Sequence, residues 1–255
     1  MTLPALHPGP IQIRRALGEG WRCFQLAPWS FVGFTLLAGS STVLGQSLHR
    51  VGADALTAGE AVPLALLASA GGLTLGLVGS LWLNVGLVRG AWIGLAGDRP
   101  RFRDLARWDG RAILRLLLIV LLLLLINVLV LVIAGLGSGL LTLLQPLLGL
   151  LPALAGGAVF AYIAVNQLLH LPLAVLGGTG PVDSFRSGRV AIDPHWGRGL
   201  AFSLVLGLIL LAGALARLAG LLVALPLVNC SLAAAYRQLF GPEDRSGLLT
   251  YRGQP

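Results

Sequence analysis

The strongest constraint in this sequence is the spacing of its apolar runs. Stretches near 28–48, 62–88, 112–134, 153–176, 199–216 and 218–239 each approach the roughly 20 residues that a helix needs to cross about 30 Å of hydrocarbon. All ten acidic residues fall between or beside these runs, the distribution that a bilayer interior enforces. Only 11% of the 255 residues are charged, against about 25% in an average soluble domain, so the chain lacks the polar surface to sit in water. The sequence therefore predicts an all-α fold, a polytopic transmembrane helical bundle of about six spans. Residues 1–27 read as an amphipathic N-terminal segment, 28–240 as the six-span domain and 241–255 as a short tail.

The net charge of +8 comes from arginine alone, and its placement predicts topology. Arg14, Arg15 and Arg22 precede the first run; Arg99, Arg101, Arg103, Arg107 and Arg111 lie between the second and third; Arg186, Arg189 and Arg198 lie between the fourth and fifth; Arg237, Arg245 and Arg252 follow the sixth. The other side holds only Arg50 and Arg217. Positive loops stay inside, so both termini and both arginine-rich loops are expected in the cytoplasm of a bacterium, with the spans in its inner membrane. Trp21, Trp29, Trp92, Trp108 and Trp196 fall on the arginine-rich side, where an indole is half buried and its N–H is wet. Residues 1–27 have no continuous apolar core, so the first span is expected to act as an uncleaved signal.

Three short segments share one pattern. Ile13, Leu17, Gly20, Trp21 and Phe24 recur at helical spacing, with Arg15, Glu19 and Arg22 on another stripe. Phe102, Leu105 and Trp108 mark one face after Pro100, and Val182, Phe185 and Ile192 mark one before Pro194. Residues 16–29 and 183–196 align without a gap, placing Trp29 on Trp196. Each pair of spans is thus expected to be introduced by a short amphipathic helix along the inner membrane surface, giving three paired units. The second run overshoots the bilayer, so Arg89, like Arg115, is expected to snorkel toward headgroups. Segment 135–151, weakened by Gly135, Gly137, Gly139 and Pro146, reads as an outer connection or a re-entrant stretch.

Binding residues follow from charge and depth. Arg99, Arg101, Arg103, Arg107 and Arg111 are the candidate contacts for anionic lipid headgroups. Gly72 with Gly76, and Gly86, Gly90 and Gly94, are spaced to let a neighbouring helix approach closely. Asn84, Asn127, Tyr162, Asn166, Gln167, His170 and Asn229 are the polar residues within the runs; Tyr162, Asn166 and His170 share a helical face and form the candidate intramembrane polar cluster. Ser138 lacks the glycine that an intramembrane serine protease motif places two residues earlier, and the runs hold no carboxylate pair. Four scattered histidines and two distant cysteines, Cys23 and Cys230, make no metal site and are not expected to pair. No catalytic residue, cofactor or metal is expected. The arginines are spread over four membrane-proximal segments, which disfavours nucleic acid.

Gly20-Trp21 leading to Pro28-Trp29, the stretch Asp183 to Ser187 before Trp196, and Ala235-Tyr236-Arg237 carry a resemblance. The layout resembles bacterial polytopic membrane proteins related to the membrane domain of glycerophosphodiester phosphodiesterases. That resemblance implies about six helices in paired units and no catalytic chemistry. The expected function is a non-enzymatic scaffold that organises membrane lipids, a membrane-protein partner or further copies of itself. A transporter or permease for a neutral or lipid-like solute is the alternative, motivated by the three units and the Tyr162, Asn166, His170 cluster.

Overall fold

The computed structural model describes residues 9–59 and 62–242, and all regular structure among them is helical. In chain order the helices are α1 (Ile13–Leu26), α2 (Pro28–Thr57), α3 (Val62–Leu95), α4 (Phe102–Ala106), α5 (Gly110–Leu144), α6 (Leu150–Asn166), α7 (His170–Val175), α8 (Pro181–Ile192), α9 (Trp196–Leu215) and α10 (Arg217–Phe240). Six of them, α2, α3, α5, α6, α9 and α10, are built on segments long and apolar enough to cross a membrane, so this is a multi-pass membrane protein. The tail with Arg245 and Arg252 lies outside the described residues.

Several boundaries differ from the runs, for local reasons. Gly135, Gly137 and Gly139 lie inside α5, so the expected connection is helical as far as Leu144. The turn shrinks to Gln145 and a tight turn at Pro146–Gly149. Glycine permits this because α6 folds back so closely that a Cβ on Gly137 would stand 3.2 Å from Pro152. The run at 153–176 is two helices, α6 and α7, with a break at 167–169. Pro172 has no N–H for the carbonyl of Leu168 and its ring would clash there, which interrupts the helix just upstream. The last two spans join at Arg217, whose φ of 60° makes the corner.

The span pairs are helical hairpins with small residues in the seam. In α2 and α3 the outer seam is Gly45 and Gly52 against Ala65, Gly72, Gly76 and Gly79. A Cβ on Gly72 would lie 2.7 Å from the Gly45 carbonyl oxygen, so the neighbour that the glycine spacing asks for is α2 of the same chain. The core sits instead at the arginine-rich end. Leu81 to Trp92 of α3, Ala112 to Ile119 of α5, Leu169 to Leu176 at the α6–α7 break, Phe202 of α9 and Val228 to Phe240 of α10 close into one apolar cluster. Beyond Ile119, α5 has no buried residue.

The short helices pack differently from the surface helices expected of them. α1 turns Ala16, Gly20, Cys23 and Phe24 into the bundle, where Gly20 backs onto Ser231 of α10. Its apolar stripe is covered by protein, leaving Trp21 44% exposed. α8 buries the small face Ser184, Ser187, Gly188 and Ala191, and leaves Val182 and Val190 outward. α4 has only five residues, and Leu105 is its buried one.

Candidate functional site

The five candidate arginines belong to a loop that α3 holds rigidly. Gly86 and Gly90 leave a notch in α3, and Leu105 fills it; a Cβ on Gly90 would stand 2.9 Å from Leu105 Cγ. Phe34 closes the notch edge-on to Trp82, with ring centroids 5.2 Å apart, and lies 6.3 Å from Phe102. Trp82 Nε1–H donates to the Ala106 carbonyl at 3.1 Å. Arg89 completes the clamp. Its Nη1 donates to the Arg107 carbonyl at 2.7 Å and its Nη2 to Asp109 Oδ2 at 3.1 Å. The other Asp109 oxygen accepts from the Ala112 N–H at 3.0 Å and so caps α5.

Arg89 corrects the expectation of snorkelling. Its side chain is 3% exposed and points inward, because the loop brings a carboxylate and a carbonyl to the guanidinium. The overshoot of α3 past the bilayer is thus filled by protein. Arg115 is also turned inward, with Nη1 donating to the Gly178 carbonyl at 3.4 Å.

Within the clamped loop, Arg99, Arg101 and Arg103 surround one groove of about 740 Å³, closed by Leu26, Ala27 and Ser30 at the α1–α2 corner. Asp98 and Asp104 share the rim. Asp104 Oδ2 accepts from the Arg101 N–H at 2.9 Å, which sets the loop's bend. Arg107 and Arg111 are outward-facing but lie outside this groove. Trp29, Trp108 and Phe102 face outward beside it, at 85%, 59% and 42% exposure. Aromatic faces flanking guanidinium groups suit the level where acyl chains meet headgroups.

The polar cluster is assembled otherwise than spacing suggests. Tyr162 OH and Asn166 Nδ2 donate to one oxygen of Asp193, at 2.6 and 3.2 Å, while Arg189 Nε donates to the other at 3.3 Å. His170 is not in this knot. The break at 167–169 rotates it off the shared face, and its Nδ1 contacts the Gln167 carbonyl at 2.7 Å. Asp193 and Arg189 are the members that spacing misses, since they come from the corner before α9 and from the last turn of α8. No periodicity links residues 27 and 31 positions apart.

Of the remaining intramembrane amides Gln167 reaches across, its Nε2 donating to the Phe185 carbonyl of α8 at 3.1 Å, and the others are used locally. Asn84, Asn127 and Asn229 each donate to the carbonyl four residues earlier, at 2.9, 2.8 and 3.0 Å. Cys23 and Cys230 form no disulfide, yet both are buried in one apolar cluster where α1 docks on α10, and Cys23 Sγ–H donates to the Ala91 carbonyl at 3.4 Å. They were expected apart because sequence distance hides the docking of α1 on α10. Among the described residues no group of three or more His, Cys, Asp or Glu is placed to hold a metal. No protein-family model, curated protein or solved structure matches this chain.

Proposed function

We propose that this protein is a non-enzymatic scaffold of a bacterial inner membrane that gathers anionic lipid at its cytoplasmic surface, where both termini and the arginine-rich loops lie. The observation that carries this reading is the groove of Arg99, Arg101 and Arg103, held in place by Leu105, Trp82 and Arg89. Guanidinium pairs with phosphodiester oxygens through two parallel N–H bonds, and a rigid loop loses little entropy on binding. Each arginine near an anionic surface adds about 1 kcal/mol of attraction. Kinship with the phosphodiesterase membrane domains is part of the same proposal and supplies no reaction.

Transport of a neutral solute has less support. The apolar cluster joining α3, α5, α7, α9 and α10 fills the middle of the arginine-rich half, and Tyr162 and Asn166 are engaged by Asp193. The test is native mass spectrometry of the protein in neutral detergent, with phosphatidylglycerol and phosphatidylcholine supplied together. The intact protein is expected to retain phosphatidylglycerol preferentially, and replacing Arg99, Arg101, Arg103, Arg107 and Arg111 by glutamine should erase the preference. An unchanged preference in that variant rules the scaffold reading out.

A further inference from the structure

A second concavity, of about 620 Å³, lies between α1 and the ends of α3 and α10 and shares Leu26 with the arginine-loop groove. Arg15 and Arg22 reach its wall from α1 and Arg237 from α10. The two α1 arginines are seven residues apart, two helical turns, and so stand on one face.

The hydrogen-bond inventory of this groove is lopsided. Among the described residues Glu19 is its one carboxylate and is engaged by Arg15 at 2.8 Å, and Arg237 Nη1 donates to the Leu95 carbonyl on the groove wall. Arg22 makes no ion pair among the described residues. Gln238 is oriented by its neighbour: its Oε1 accepts the Gln12 N–H at 3.0 Å, so its other terminal atom must be the NH₂. That Nε2 is enclosed and has no acceptor. A groove with three guanidinium groups against one carboxylate carries a surplus of positive charge that a group made of acceptors balances. A carboxylate offers two oxygens; a phosphate monoester offers three terminal oxygens and close to two negative charges near neutral pH.

We infer that this groove binds a phosphate monoester, carried either on a lipid headgroup or on a small soluble molecule. None of its arginines belongs to the Arg99–Arg103 groove, so this site stands or falls apart from the scaffold reading. The ester oxygens take N–H bonds from Arg22 and from the guanidinium N–H groups that Glu19 and the Leu95 carbonyl leave over on Arg15 and Arg237.

The test titrates the full chain in neutral detergent with glycerol 3-phosphate, dihexanoyl phosphatidic acid and, as the control without a monoester, dihexanoyl phosphatidylcholine. Saturable binding of either monoester, with none of the control, is expected. Glycerol 3-phosphate bound as tightly as phosphatidic acid identifies a soluble source; phosphatidic acid bound more tightly identifies a lipid. Read in the R99Q/R101Q/R103Q background, which removes the arginines of the other groove, R15Q/R22Q should weaken monoester binding about tenfold or more. Gln238→Glu keeps an acceptor for the Gln12 N–H and adds a negative charge beside the groove, so it should lose binding. Absence of saturable monoester binding, or unaltered affinity in both R15Q/R22Q and Gln238→Glu, overturns the inference.

Discussion

Two adjacent glycines of α3 should respond oppositely to the same substitution. Gly71 faces away from α2, and a Cβ there would meet nothing within 4 Å. Replacing it with alanine removes the entropic penalty of glycine in a helix and should stabilise the protein by about 0.5–1 kcal/mol. Gly72 lies in the seam, where a Cβ would stand 2.7 Å from the Gly45 carbonyl oxygen and 2.9 Å from His49 Cα. Both obstacles are backbone, so no rotamer change relieves the clash and the two helices must part by roughly half an ångström or more. A gap of that size forfeits about a quarter to a half of the dispersion energy along the seam, and overpacking costs typically 1–3 kcal/mol. The two variants should therefore differ by about 2–4 kcal/mol, with opposite signs relative to the parent. Reversible unfolding in mixed micelles of neutral and anionic detergent reads the difference directly. Stabilities agreeing within about 0.5 kcal/mol would show that α2 and α3 do not approach as described and would refute the packing argument.

Arg89→Met should destabilise by about 3 kcal/mol, the low end for a broken buried pair because Asp109 is 31% exposed, and should open the loop to protease near Arg107; resistance equal to the parent's would show that the clamp is idle. A short thiol-specific bifunctional reagent should link Cys23 to Cys230 within one chain, because both lie in one buried cluster, and recovery of both thiols singly modified would contradict the docking of α1 on α10. Arg217→Gly should raise the unfolding midpoint by relieving about 1 kcal/mol at φ 60°, and a lowered midpoint would place the corner elsewhere. Asp193→Ala should lower it by removing the acceptor of Tyr162, Asn166 and Arg189, whereas His170→Ala should leave that knot intact; equal losses would return His170 to the cluster.

The parts that were legible in the sequence were those with one dominant energy term. The exclusion of Asp and Glu from six runs gives the number of long helices, because an unpaired carboxylate in hydrocarbon is prohibitive whatever the packing. Helix ends were less legible, since Gly135, Gly137 and Gly139 read as breakers by propensity yet all sit in α5, where Gly137 alone of the three packs against α6. Depth alone suggested that Arg89 reaches outward, and tertiary context reversed this by supplying Asp109. The amphipathic stripe of α1 was correctly periodic, but a stripe does not say whether lipid or protein covers it. The Tyr162–Asn166–Asp193 knot was half visible, because helical spacing relates residues within one helix and is silent across a corner.

The three short helices obey one rule that bears on why the arginine loop is rigid. α4 docks on α3 and α2, and α8 docks on α5, α6 and α7; each leans on both spans of the unit before it. α1 has no unit before it and docks on α10, the last span of the third, so the pattern closes into a ring. Polar ties mark every junction: Arg89 to Asp109 just before α5, Asn166 and Tyr162 to Asp193 just before α9, and the Gln12 N–H to Gln238 just before α1. Two of these acceptors are aspartates lying immediately ahead of a span, which assigns the Tyr162 cluster the same holding role as Arg89. In a closed ring no unit can shift along the membrane normal without breaking ties on both sides. The short helices, their arginines and the two grooves they border are therefore held at one height relative to the spans, the condition under which several guanidinium groups can meet one layer of phosphate together.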